Sequence, residues 1–403
     1  MTLELYDTAQ RRVVPFDPAR AVSVYVCGIT PYDSTHLGHA ATYLTYDILT
    51  RRLEELGHDV RMVRNVTDVD DSILPKAREL GVDYLELAET EFRRFTADMN
   101  ALGMRPAMAE PRATESIDEI VALVKVLGER GHTYQVDGAV YFDVATFAEF
   151  GKLSHYPREQ MLRLAEARGG KPDDPAKRDP LDFVLWQPSA PDEPTWDTEL
   201  GPGRPGWHIE CSAMALHAHG GTVDLHGGGT DLIFPHHECE IAQTEAATGE
   251  PLARHWVHSA MVAYEGEKMS KSLGNLVFVS DLLQKTDARA VRLALMRHHY
   301  RSGFEWYDTD LDEGAALLHR LLAAGSAPDG ADPRPFEARV RQAIDDDLDV
   351  PKALDALDDL ASAILSGGPH DEAPAVLADL ASLLGVGLGR PFGVGDATEA
   401  GVS

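Results

Sequence analysis

The stretch VSVYVCGITPYDSTHLGHAATYLTYDILTRRL, residues 22–53, decides the fold. Val22 to Val26 (VSVYV) is β-branched or aromatic at every position but Ser23, as expected of a buried strand. Thr42 to Leu56 reads as a helix. Between them, His36-Leu37-Gly38-His39 puts small residues and imidazoles at the turn. At such a strand–turn–helix junction, backbone N–H groups and the helix N-terminus meet phosphates. Far downstream, Lys268-Met269-Ser270-Lys271-Ser272 places two ammonium groups on a loop. Such a loop can close over a triphosphate and neutralise the charge on leaving pyrophosphate. Alone, either motif reads as a capping histidine or as solvated loop charge. In this order they predict an α/β nucleotide fold in two halves that cleaves ATP between its α- and β-phosphates.

The chain has 403 residues, 44% of them apolar, which suffices for two or three domains. No apolar run approaches a membrane span, and the first twenty residues alternate like a strand rather than a signal peptide. A cytoplasmic location and no membrane partner are therefore expected. Three cysteines, none in a CxxC pair, leave metal binding or buried thiols. The net charge of −29 bears on partners, because RNA is gripped mainly through Lys and Arg. A neutral or cationic small substrate meets no such barrier.

Residues 1–115 read as the first half of a doubly wound core, with HDVRMVRNV as a second strand. Residues 116–201 form an insertion, opening on an amphipathic helix (Ile117, Ile120, Val121, Val124) and a hairpin around Ala139–Phe142. Its stretch ARGGKPDDPAKRDP holds too few apolar residues to pack and reads as a mobile loop. Residues 202–280 form the second half of the core, with strands near Val223–Leu225 and Trp256–His258. A helical connection fills 281–330, including a helix over Ala288–His299, and a helical C-terminal domain fills 331–390. Residues 391–403 read as a disordered tail. From residue 331 onward there are five Lys/Arg and fourteen Asp/Glu, an unpromising balance for an RNA reader.

These motifs resemble the class I aminoacyl-tRNA synthetase family, and further stretches narrow the resemblance to its cysteinyl branch. They are Cys27–Asp33, Asn65–Asp71, Gly206–Ser212 and His226–Asp231 running on to Phe234–Glu238. Within that branch the chain is most similar to the shorter cysteine ligases of mycothiol biosynthesis, which join cysteine to the amine of glucosaminyl-inositol. It reads CGITPYD and HLGHAATY, whereas the synthetases typically show CGPTVYD and an arginine where Ala41 stands. Leu185-Trp186-Gln187 replaces their LWK. The family's ERGGDP-like loop appears as the variant Ala167–Pro172, which leaves that loop's role open.

The resemblance implies a Rossmann core with an inserted connective domain, acting on L-cysteine, ATP and glucosaminyl-inositol as a monomer and without tRNA. Cysteine would be activated as cysteinyl-adenylate and then passed to the sugar amine. His36, His39, Lys268 and Lys271 would stabilise the phosphates, with Mg²⁺ entering as the ATP counter-ion. Cys27, Gly28, Ile29 and Thr30 would border the substrate. Thr42, Asn65, Val66 and Thr67 would meet the adenylate or the cysteine ammonium, and Trp207 would wall the amino-acid pocket. Gly229, Thr230 and Asp231 would face the ribose and adenine, with Val262 offering main-chain groups to the base.

Cys27, Cys211 and His236 lie far apart in sequence, but strand ends of a two-half nucleotide fold converge at the switch point. Two thiolates and an imidazole suit Zn²⁺ with one position open; the plainer alternative is two buried thiols. The resemblance gives the open position to the substrate thiolate. Glu240, four residues beyond His236, is expected near the metal, as a ligand or behind one. Cys239 is expected to be packing. Asp231, His208 and Glu210 are equal candidates for the base of the second step.

Overall fold

The computed structural model describes residues 2–269 and 274–389. Four parallel strands form the central sheet in the order Trp256–Ser259, Leu225–Gly229, Ala21–Ile29, Asp59–Val66. The two halves of the chain therefore meet between Ala21–Ile29 and Leu225–Gly229, and every strand delivers its C-terminal end to the same edge. In open parallel sheets, ligands bind in the crevice at such an edge. The strands are buried on both faces, which is why Val22, Val24, Tyr25 and Val26 read as a near-continuous apolar run.

The helix after the first strand spans Leu37–Glu55, beginning five residues before the Thr42 expected from sequence. His36 causes the early start. Its imidazole accepts from the Gly38 N–H, and the His39 side chain reaches back to the His36 N–H, a capping box built from two histidines. The HLGH motif is thus the first turn of the helix rather than a loop before it.

The insertion carries a four-stranded antiparallel sheet, ordered Thr133–Val136, Ala139–Phe142, Phe183–Gln187, Arg204–Pro205. Helix Ile117–Glu129 packs it against helices Trp207–His219 and Glu238–Thr248 of the second half. The polar stretch 167–180 differs from expectation, since it is tied into this unit. The Arg168 guanidinium donates to the Phe234 carbonyl, Arg178 lies over the Tyr134 ring, and the Tyr134 hydroxyl donates to Asp182. Hydrogen bonds and a cation–π contact take the place of the apolar burial that the sequence lacks.

Helix Ala288–Met296 ends three residues earlier than expected and leads to helix Asp308–Gly325. Helices Arg334–Asp345, Val350–Leu365 and Ala373–Leu383 complete a C-terminal bundle. Ala353, Leu354, Leu357, Leu360 and Ile364 are buried in one core shared with the sheet and the HLGH helix. The N-terminal hairpin, Glu4–Asp7 with Arg12–Pro15, closes the side near Trp256. Among the described residues no helix is long and apolar enough to cross a membrane. The expected tail, 391–403, lies outside the described residues.

Candidate active site and metal centre

Cys27, Gly28, Ile29 and Thr30 lie at the end of the first core strand, beside Asn65, Val66 and Thr67 at the end of its neighbour. The Asn65 Oδ1 accepts the Gly28 N–H at 2.8 Å and its Nδ2 donates to Thr67 Oγ1 at 3.1 Å. The Thr67 N–H in turn donates to the Ile29 carbonyl at 3.0 Å. Only glycine fits at residue 28, because a Cβ there would stand 1.6 Å from the Asn65 carbonyl oxygen. Asn65 and Thr67 thus hold the strand end together with the same polar atoms expected to meet a ligand.

On the far side of the crevice the His36 and His39 rings stack at 3.8 Å. The chain that leaves the lysine loop is sewn onto this turn: Leu37 N–H donates to the Val277 carbonyl and Val279 N–H to the Thr35 carbonyl. Thr42 Oγ1 donates to the Gly38 carbonyl and accepts from Ser259 Oγ at 3.0 Å. Gly229 ends its strand, followed by Thr230 and Asp231. The buried Tyr46 hydroxyl lies 3.0 Å from the Gly228 carbonyl and 2.8 Å from that of Val257, bridging the two strands. Val262 opens a three-stranded sheet of Glu267–Lys268, Val262–Tyr264 and Phe304–Glu305, so Lys268 sits on the strand entering the lysine loop. Lys271 lies outside the described residues.

Between these walls Cys27, Cys211, His236 and Glu240 present sulfur, nitrogen and oxygen atoms all within 4.8 Å of one another, and all four are buried. Cys27 comes from the first half of the core; Cys211 comes from helix Trp207–His219, and His236 and Glu240 from successive turns of the Ile233–Thr248 segment. His236 Nε2 lies 3.0 Å from Glu240 Oε1, and Cys27 Sγ donates to the same oxygen at 3.3 Å. This donor set fits a divalent metal of zinc's preferences.

The electrostatics favour a thiolate at Cys211 and a carboxylate at Glu240. A hydrogen bond from Cys27, helped by His236 and opposed by burial, pulls the Cys211 thiol down to about 6. Burial, then the neighbouring Cys211 and Glu240, pushes the Cys27 thiol well up. Burial opposes charge on His236, yet Cys211 and Glu240 raise it to about 10. Burial would likewise raise Glu240, but the His226 and His236 imidazoles hold it well below the usual carboxylate range. Buried charges of this kind persist only when paired or coordinated.

A second layer of histidines surrounds the four donors. His208 Nδ1 meets His236 Nδ1 at 2.8 Å. Burial, then the charge on His236, lowers His208 well below its usual value, so His208 is neutral and accepts. That bond turns His236 Nε2 toward the donor cluster. The Trp207 ring stacks on His236 at 4.1 Å. His226 Nε2 lies 2.9 Å from Glu240 Oε2. His237 Nε2 lies 3.3 Å from Cys27 Sγ, and its Nδ1 meets His258 Nε2, whose Nδ1 in turn meets Thr8 Oγ1 at 2.7 Å. Cys27, His226, His237 and Glu240 form an overlapping donor group.

Residues 14–316 match the family described as tRNA synthetases class I (C) catalytic domain. The chain belongs to the class I aminoacyl-tRNA synthetase family. It is 50% identical to the L-cysteine:1D-myo-inositol 2-amino-2-deoxy-alpha-D-glucopyranoside ligase of Thermobispora bispora, over 96% of each chain. It is 49% identical to the ligase of the same name from Thermobifida fusca, over 96% of this chain and 95% of that one. Its fold is that of Mycobacterium tuberculosis methionyl-tRNA synthetase in complex with methionyl-adenylate, with TM-score 0.65 at 17% identity, covering 91% of this chain and 90% of that chain.

Sequence reading named the donors but gave no role to His226, His237, His258 or Thr8. The first two stand in the quoted motifs HGGGTD and FPHHE, and paired histidines beside an expected metal ligand were a usable signal. Nothing local marks His258 or Thr8. Cys239 is buried among Ile209, Ala213, Phe234 and Ala242, an apolar setting. Of the three base candidates, His208 is engaged with His236 and Glu210 is fully buried. Asp231 is half-buried at the strand end.

Proposed function

We propose that this protein is an AMP-forming ligase that joins L-cysteine to the amine of glucosaminyl-inositol through a cysteinyl-adenylate, a step of mycothiol biosynthesis. The buried Cys27–Cys211–His236–Glu240 cluster carries this reading, because its donor set suits a site that selects a thiol. In this reading Zn²⁺ is held by Cys27, Cys211 and His236, with Glu240 as a further donor. When bound, zinc supplies strong preference for a thiolate over a hydroxyl, which selects cysteine over serine. The near-identical naming of relatives that match over the whole chain supports the acceptor.

In the first step the cysteine carboxylate attacks the α-phosphorus of ATP, and pyrophosphate leaves. His36 and His39 line the path of the α-phosphate at the helix N-terminus, where fixed donors cost no reorganisation. Lys268 and Lys271 hold the β- and γ-phosphates, and Mg²⁺ enters with ATP. Thr42, Asn65, Val66 and Thr67 shape the floor, Trp207 walls the amino-acid side, and Gly229, Thr230, Asp231 and Val262 receive the nucleoside. In the second step the neutral sugar amine attacks the adenylate carbonyl, AMP leaves, and the amine proton passes to a base. Asp231, His208 and Glu210 remain the candidates for that base.

The domain division this reading uses is 1–115 and 202–280 for the core, 116–201 inserted, 281–330 connecting and 331–390 C-terminal. The chain works as a cytoplasmic monomer without tRNA. The test is a competition in which protein, ATP, Mg²⁺ and labelled cysteine meet glucosaminyl-inositol in one tube and tRNA in another. Amide product on the sugar alone is expected. Charged tRNA without sugar product would overturn the reading.

A further inference from the structure

Two adjacent non-glycine residues, Asp347 and Leu348, hold left-handed backbone angles, with φ of 54° and 52°. They form the turn between helices Arg334–Asp345 and Val350–Leu365 of the C-terminal bundle. Non-glycine residues occupy this region at a cost, so surrounding contacts must hold them there. Those contacts converge on the buried Asp347 carboxylate. Oδ1 accepts the Tyr6 N–H at 2.7 Å and the Tyr300 hydroxyl at 2.6 Å. Oδ2 accepts the Arg301 guanidinium at 2.5 Å, and Arg301 lies over the Tyr6 ring. The Asp347 N–H donates to the Glu4 carbonyl at 2.9 Å.

Tyr300 is the link toward the site. Its carbonyl accepts the Ala260 N–H at 2.6 Å, directly after the core strand Trp256–Ser259 ends. Two residues on, Val262 pairs with Phe304, and Ala263 pairs with both Glu305 and Lys268. The Trp306 N–H also donates to the Ala263 carbonyl. Residues 300–306 are therefore the frame on which the strand before the lysine loop is hung. On its other side the 299–300 turn borders a small cleft of about 40 Å³, open to solvent and lined by Ala41, Thr45, Met296 and Phe304 among others. Tyr300 and Phe304 also pack against the main core, while Asp347 makes the polar hold on the Tyr300 hydroxyl.

From this geometry we infer that Asp347 is a positioning residue for adenylate formation. Through Tyr300 it sets the height of the Ala260–Lys268 segment over the nucleotide crevice. The C-terminal bundle thereby acts on the chemistry by bracing the strand Val262–Tyr264 and its partner Glu267–Lys268. The inference rests on the adenylate-forming activity proposed above and concerns ATP rather than cysteine.

The test is cysteine-dependent ATP–pyrophosphate exchange by the full chain, its Asp347→Asn and Tyr300→Phe variants, and an Asp346→Asn control. Asp346 neighbours Asp347 but is 64% exposed in its side chain and carries only a 4.0 Å pairing to Lys352. Asp347→Asn should lower kcat on the order of 10-fold and raise KM for ATP several-fold, as expected of a misplaced phosphate-binding loop. Tyr300→Phe, which keeps the carbonyl that receives Ala260, should shift both in the same direction. KM for cysteine and bound metal per chain should stay at wild-type values, and Asp346→Asn should match wild type throughout. A lower Tm with unchanged kcat and KM for ATP would reduce Asp347 to a structural role and overturn the inference. If Asp347→Asn fails to fold, an unaffected Tyr300→Phe overturns it alone, as would loss of cysteine affinity or metal in that variant. Wild-type protein without cysteine-dependent exchange would instead overturn the proposed activity.

Discussion

Replacing His208 with phenylalanine isolates how far the layer behind the donors controls the metal. The substitution keeps a ring where His208 packs edge-on to Phe183, with centroids 5.8 Å apart, and where it touches Trp207. It removes one thing, the acceptor 2.8 Å from His236 Nδ1. With Nε2 facing the cluster, His236 must carry its proton on Nδ1, and in the variant that N–H is buried without a partner. Such a group costs about 1–3 kcal/mol. If the cost falls on the bound state, zinc affinity drops by roughly 10- to 100-fold, at about 1.4 kcal/mol per decade. Competition against a chromogenic chelator at pH 7.5 reads this directly. Cys239→Ala is the control, since Cys239 neighbours Glu240 in sequence but sits among apolar side chains. Wild-type zinc affinity in His208→Phe would refute the claim that this bond orients His236. Equal losses in both variants would show that the helix tolerates no change and that the bond is not special.

Gly28→Ala should unfold or inactivate the chain, because its methyl group would sit 1.6 Å from the Asn65 carbonyl oxygen and only backbone movement relieves that. A cost of about 3 kcal/mol or more is expected, read as a fall in Tm, and an unchanged Tm would refute the close approach. Gly385→Ala should also destabilise, by about 4 kcal/mol, through a φ of 72° and a Cβ 2.3 Å from the Arg292 guanidinium. Arg292 is buried and bonds Asp47 and the Leu384 and Leu102 carbonyls, so a denaturation midpoint at the wild-type value would contradict this lock. Asp98 is pushed up to about 6 by burial, above the unfolded value near 3.9. Its folded pKa is raised, so the penalty for keeping it ionised is full above pH 6 and fades as pH falls through 6 toward 4. Asp98→Asn should therefore gain no more than about 1 kcal/mol at pH 7.5, allowing for partial solvent access, and nothing near pH 4; a pH-independent gain would count against it.

The core of the fold was legible because its strands are buried on both faces and its turn carries a motif. Val22 to Val26 could be nothing but a sheet centre once the helix after His36 was seen. The early start of that helix was not legible, since histidine is no ordinary cap and its role depends on a second histidine three residues on. The donors Cys27, Cys211 and His236 were readable only as members of motifs, and the fold was needed to bring them within 4.8 Å. His258 and Thr8 were beyond reach, because their link runs between the N-terminal hairpin and the last core strand, 250 residues apart. The stretch 167–180 misled for a different reason. Composition reports how much apolar surface a segment can bury, whereas Arg168, Arg178 and the Tyr134–Asp182 pair hold it by directed polar contacts.

The same contacts explain why an insertion belongs in this core at all. Glu238 stands between the donors His236 and Glu240 and is itself fully buried, but it is engaged elsewhere. Its carboxylate accepts backbone N–H groups of Gly151, Leu153 and Ser154, three donors from the insertion. Arg168 grips the carbonyl of Phe234 on the preceding turn. The segment that supplies two of the four donors is thus pinned on its outer face by the insertion, while His208, His226 and, through the His237 ring, Cys27 and His258 hold its inner face. A cysteine-selective site needs its donors fixed to a fraction of an ångström before substrate arrives. Holding one short segment from both sides achieves that, while the C-terminal bundle braces the ATP side.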